Sequence, residues 1–174
     1  APDFENPGSV DSDNDYSVTV TISDGVNTGA TISYTVTVDD ANDFTPTYSA
    51  GDLTPSVAEG STAVDSFTVS DADTDDVNAC IRGGADAALF TCTVSGDDIT
   101  LAFASAPDYD SASDANSDND YIVTVAISDG TNTGSTLSYT VSVTDLNDQT
   151  PTYSSSDTTP SISEGTTAVS YTHL

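Results

Sequence analysis

Basic residues are almost missing from this chain: Arg82 is the single Lys or Arg against 29 acids, and the formal charge is -28. A chain so negative excludes nucleic acid and anionic membrane as simple electrostatic partners, because both would repel it. Met and Trp are absent, only Glu5, Glu59 and Glu164 are Glu, and no 3.6-residue or heptad stripe stands out. Long helices are therefore not expected. Histidine occurs once, at His173, so a Ser or Cys nucleophile would lack a credible base, and no Cys/His set has zinc spacing. Paired carboxylates could serve glycoside hydrolysis, but no aromatic cleft accompanies them. No signal peptide, 18-residue apolar run or lipidation motif is present, and the chain reads as a fragment of something longer.

What is there is Asp, Thr, Val, Ser and Ile. Asp favours turns and strand ends, and β-branched residues favour strands, so the composition reads as all-β. The acids demand an explanation, since two carboxylates 4 Å apart repel by about 4 kcal/mol at an effective dielectric near 20. Either they spread over a solvated surface or they gather around cations. Disorder is set aside because the apolar residues alternate with period two between turn signals.

Repetition organises the rest. Residues 1–64 align without a gap on 106–169, with roughly two thirds identical. A period of 105 residues suits one β-sandwich per repeat. The expected division is residues 1–46 as the last part of one repeat, 47–151 as a complete repeat, and 152–174 as the start of another. Its end, Ser170 to Leu174, departs from the repeat and resembles a translated adaptor, so His173 receives no role. Seven strands are expected in the complete copy, near 55–62, 65–70, 77–82, 89–94, 98–103, 121–128 and 135–145. Tyr121, Val123, Val125 and Ile127 should face its core, and Tyr34 and Tyr139 are both placed on core rows. Cys80 and Cys92 flank Gly83-Gly84; in an exported protein such a pair on neighbouring strands suggests a disulfide. Arg82 is expected to pair with a local acid such as Asp86.

The repeated stretch Asp40-Ala41-Asn42-Asp43-Phe44-Thr45-Pro46 returns as Asp145-Leu146-Asn147-Asp148-Gln149-Thr150-Pro151. Counting by twos, the row Ile32, Tyr34, Val36, Val38 runs into Asp40 and Asn42, and the row Phe67, Val69 runs into Asp71 and Asp73. Two rows meant for a core thus end in oxygen, and a proline stiffens the exit from the first. Hard calcium takes six to eight such oxygens. Neither Asp-rich loop is an EF-hand: from Asp11 the sixth residue is Tyr16 and the twelfth Ile22, and from Asp71 they are Asp76 and Arg82. The insert Asp11 to Asp15 reads as a solvated loop ahead of a strand.

With an early Glu (Ala58-Glu59-Gly60), Asp71-Ala72-Asp73, the elements Asp3-Phe4-Glu5 and Asp108-Tyr109-Asp110, and an Asp-Gly after a long strand, the chain resembles tandem cadherin repeats. The likeness is greatest to the cadherin-like repeats of large bacterial surface proteins. The resemblance implies tandem immunoglobulin-like, antiparallel Greek-key β-sandwiches with calcium shared at each junction. At the first junction it implies Asp3, Glu5, Asp40, Asn42 and Asp43 with Asp71, Asp73 and Asp129. At the second it implies Glu59, Asp108, Asp110, Asp145, Asn147 and Asp148. Three departures stand out: Asp110 replaces a Glu, Phe44 and Gln149 replace an Asn, and the first copy has no early Glu. The implied role is a non-enzymatic, extracellular or cell-surface adhesion module. Its partners would be adjacent repeats of the same chain, and another copy or a cell-surface ligand; no nucleic acid or membrane insertion is expected. The alternatives are a calcium-indifferent acidic spacer, or the non-catalytic arm of a secreted hydrolase.

Overall fold

Alternation decides the architecture. A computed structural model describes residues 1–73, 79–152, 161 and 163–165. Strands β1 (Asp15–Ser23) and β2 (Thr28–Thr37) form an antiparallel hairpin. There follow β3 (Thr47–Tyr48), β4 (Ser56–Ala58), β5 (Ala63–Ser70), β6 (Ala79–Gly83), β7 (Phe90–Ser95), β8 (Asp98–Phe103), β9 (Asp120–Ser128) and β10 (Leu137–Thr144). They build two four-stranded sheets, ordered β4-β10-β9-β6 and β3-β5-β8-β7, antiparallel except where β4 runs parallel to β10. The only helical element among the described residues is a single 3₁₀ turn at Ala87–Leu89. Most of the segment expected at 152–174 lies outside the described residues.

The two sheets face each other through their apolar rows. Tyr121, Val123, Val125, Ile127, Tyr139 and Val141 are each 0% exposed. They meet Phe67, Val69, Phe90, Ile99, Leu101 and Phe103 from the other sheet. Phe90 stacks on Phe103 at 4.5 Å, and Tyr121 meets Phe103 edge-on at 5.1 Å, as ring quadrupoles prefer. Tyr139 satisfies its buried hydroxyl by donating to Asp65 Oδ2 at 2.8 Å.

Most strands lie where the sequence places them, but β3, a two-residue strand paired with β5, was not expected, and two further differences stand out. The stretch 55–62 pairs only over Ser56–Ala58, because Gly60 turns the chain at φ +78°. The hairpin β1–β2 differs more. Its register, Tyr16↔Val36, Val18↔Tyr34 and Val20↔Ile32, repeats that of β9–β10, Tyr121↔Val141, Val123↔Tyr139 and Val125↔Leu137. Tyr34 is nevertheless 52% exposed where Tyr139 is 0%. Tyr34 is therefore not a core residue here: among the described residues no second sheet covers the hairpin face, so equal patterning gives unequal burial.

Cys80 and Cys92 are bonded as expected, on neighbouring strands that belong to different sheets: β6 and β7 are edges of opposite sheets, so the bond crosses the sandwich. Arg82 does not pair with Asp86. Its guanidinium donates to the carbonyls of Ala87 and Phe90. Both Asp86 oxygens are occupied instead by the Ala115 and Ile122 N–H groups, which suits an acid only 4% exposed.

Candidate metal centre

One end of the sandwich collects carboxylates from four separate stretches. Strand β5 ends at Ser70, but its inward row continues: after Phe67 and Val69 come half-buried Asp71 and Asp73, which is only 6% exposed. The turn after β9 supplies Asp129, 5% exposed, whose Oδ1 accepts the Thr131 and Asn132 N–H groups at 2.7 and 2.6 Å. Such an Asx-type turn fixes the carboxylate's direction. The connection 38–46 brings Asp40 and Asp43, and Glu5 approaches from the segment ahead of β1.

Carboxylate oxygens of Glu5, Asp43 and Asp73 lie within 4.8 Å of one another, and so do those of Asp71, Asp73 and Asp129. Asp73 belongs to both sets and joins them. Glu5 also shares a hydrogen bond with Asp40. Asp3 lies outside both triplets but lines the same depression as Glu5 and Asp43, its Oδ1 accepting the Asn6 N–H at 3.1 Å. Asn42 Oδ1 accepts the Asn132 side-chain N–H at 2.9 Å.

The electrostatics follow from this crowding. Asp73 titrates above an ordinary Asp, first because it is buried and then because Asp71, Asp40 and Asp43 repel its charge; the Phe44 N–H, 2.8 Å from Oδ2, opposes the shift. For Glu5 the largest influence is its own main-chain N–H, which favours the anion. Burial, the bond to Asp40 and the charges of Asp40 and Asp43 outweigh it and raise the carboxyl. Asp129 behaves oppositely: burial would raise it, but the Asn132 and Thr131 N–H groups hold it low.

Three oxygens decide what could sit here. Glu5 Oε1, Asp71 Oδ2 and Asp73 Oδ1 are buried and receive no hydrogen bond. A buried anionic oxygen without a donor is costly, and Arg82, the one basic side chain besides His173, is engaged elsewhere. All-oxygen ligands of this kind fit a hard divalent cation and not a soft one. Calcium therefore fits the residues present.

At the opposite end, Glu59 is 7% exposed and accepts Leu146 N–H at 2.6 Å and Tyr109 N–H at 2.8 Å, which hold its carboxyl below the ordinary value. Asp110 is raised by burial and by Asp145, Glu59 and Asp148. Asp108 Oδ1 accepts Ser111 N–H, Asp148 Oδ1 accepts the Gln149 amide, and Asn147 is exposed. Among the described residues this second set forms no carboxylate triplet.

A pH dependence follows. Groups raised in the folded state (Glu5, Asp73 and Asp110) stabilise it fully below their ordinary values, 4.5 for Glu and 3.8 for Asp. That stability is lost as pH rises through their raised folded values. Depressed groups such as Glu59 and Asp129 stabilise above the ordinary values, and that contribution is lost as pH falls through their lowered ones. In chelator at fixed ionic strength, melting temperature should rise as pH falls from neutral toward the ordinary carboxylate values, then drop as pH falls below them and the depressed groups protonate. A profile that declines steadily from neutral pH downward would contradict the crowding.

Sequence reasoning missed Asn132 and the main chain of Phe44. The repeated Asp-Gly-x-Asn-x-Gly turn, at Asp24 to Gly29 and Asp129 to Gly134, was the available signal.

No protein-family model matches this sequence, and no curated protein does. Solved structures do. The chain is similar to protocadherin gammaB7 in its EC3-6 cis-dimer structure, at 24% identity and TM-score 0.60, over 84% of this chain and 34% of that one. It is similar to the extracellular domain of protocadherin GammaB4, at 24% identity and TM-score 0.56, over 84% of this chain and 22% of that one. It is also similar to human CDH23 EC21-23, at 17% identity and TM-score 0.53, over 78% and 45%. The chain thus spans about a third or less of the two protocadherin structures. These likenesses establish the fold: tandem immunoglobulin-like, cadherin-like antiparallel β-sandwich.

Proposed function

We propose that this chain is a calcium-binding, extracellular structural and adhesion module in which residues 38–46 form a junction between tandem repeats. The supporting observation is the convergence of Glu5, Asp43, Asp71, Asp73 and Asp129, with buried oxygens that lack donors. Calcium there supplies the positive charge and the oxygen-hungry coordination that these carboxylates lack. Glu5, Asp40 and Asp43 hold the side of residues 1–46, and Asp71, Asp73 and Asp129 hold the side of 47–151. Neutralised together, they fix the angle between the two. Asp3 and Asn42 complete the ligand set from the first side. Glu59, Asp108, Asp110, Asp145, Asn147 and Asp148 form the corresponding half-site at the other end. The partners are adjacent repeats of the same chain, and another copy or a cell-surface ligand. No residue here acts in catalysis, and the setting is a large surface protein of the bacterial type.

Affinity should be about 10⁻⁴ to 10⁻³ M, as for other extracellular modules. At a hundred times the dissociation constant, calcium should add about 2.7 kcal/mol of stability. For one sandwich that is a melting-temperature rise of about 10 °C or more. Calorimetric titration and thermal unfolding in calcium against sodium, at matched ionic strength, measure it. Equal stabilisation by both ions, with no heat of binding, leaves only the acidic spacer.

A further inference from the structure

We infer that Asn132 is an ion-independent latch, its side-chain amide holding the linker Asn42 to Tyr48 on the second sandwich. The amide nitrogen lies 2.9 Å from Asn42 Oδ1, 2.6 Å from the Phe44 carbonyl and 3.4 Å from Asp129 Oδ2. Three oxygens from two distant parts of the chain thus converge on one neutral donor. Its aim is set by the main chain: the Asn132 carbonyl accepts Ser128 Oγ–H at 2.7 Å, and its N–H is held by Asp129 Oδ1.

The linker is gripped along its length. Phe44 gives its carbonyl to Asn132 and its N–H to Asp73 Oδ2. Two residues on, Pro46 is buried beneath Gly134, where an added Cβ would stand 2.5 Å from the Pro46 carbonyl oxygen and 2.5 Å from the Tyr48 ring. Only glycine allows that approach. Tyr48 then donates its hydroxyl to the Ser135 carbonyl and accepts the Ile127 N–H. Of these contacts, the carboxylate of Asp73 is the one whose charge a bound cation would claim; the Asn132 amide carries no charge and does not titrate. The same turn recurs in the first copy, where Asp24 Oδ1 takes the Val26 and Asn27 N–H groups and the Asn27 amide lies 3.4 Å from Asp24 Oδ2. The turn that aims the amide is thus common to both copies, while the hold on a linker is seen at Asn132.

The role assigned to Asn132 rests on the junction reading above, but its metal-free test does not. Hydrogen exchange at the Phe44 amide is compared in the full chain, Asn132→Ala and Asn132→Asp, with chelator and with calcium. In chelator the unaltered chain keeps Phe44 protected, while both variants exchange about tenfold faster or more. Core amides of β9 and β10 report that the variants remain folded. With calcium added, Asn132→Asp regains protection, because a carboxylate in that nest holds the linker only through a cation. Loss of Phe44 protection in the unaltered chain on chelation alone would overturn the latch, as would unaltered protection in Asn132→Ala. If calcium changes none of the three chains, the calcium reading fails while the chelator comparison still decides the latch.

Discussion

Asp73→Asn should abolish the calcium-dependent rise in melting temperature while making the metal-free chain more stable. The two effects have opposite signs because Asp73 has two conflicting roles. It is the one carboxylate common to both triplets, so removing its charge weakens both sets of ligands at once. Without a cation the same charge is a liability, since it is buried and faces Asp71, Asp40 and Asp43. The amide keeps an oxygen that can accept the Phe44 N–H, so the linker contact is retained. The expected loss is the whole calcium-dependent gain, about 10 °C. Thermal unfolding of both chains in chelator and in calcium reads the two signs in one experiment. A variant with the calcium response of the unaltered chain would show that the triplets are not where calcium acts.

Replacing Cys80 and Cys92 together by Ser should lower the melting temperature by about 10 °C or more. The bond closes a loop with sequence separation 12 and a Cα–Cα distance of 6.1 Å. Constraining a loop of this size in the unfolded chain contributes about 3 kcal/mol. It also ties the edge of one sheet to the edge of the other, so its loss frees β6 and β7 to part. Reduction of the unaltered protein should reproduce the shift, and an unchanged melting curve in the double variant would count against it. The calcium response should survive, because neither cysteine belongs to either triplet.

Much of the architecture was legible from residues alone, and for a local reason. Period-two rows such as Tyr121, Val123, Val125 and Ile127 report which way side chains point, and the structure buries all four. The row from Phe67 to Asp73 likewise carried its own message, an inward face that turns acidic. Tyr34 shows the limit. Its pattern equals that of Tyr139, but burial depends on what lies opposite, and patterning does not encode that. Asn132 was missed for a related reason: its partners Asn42 and Phe44 are 90 and 88 positions away, and an amide in a turn looks like a turn former. The cysteine pairing was readable, while its crossing between sheets was not, because strand order is set by contacts distant in sequence.

The margins of the sandwich bear on crowding. Its outermost strands are two, three, five and six residues long, and the two longest are strapped together by sulfur. Short rims of this kind offer little ladder for a stranger to extend. With so large an excess of like charge around them, many such units can be strung side by side at high local density without fusing into fibres.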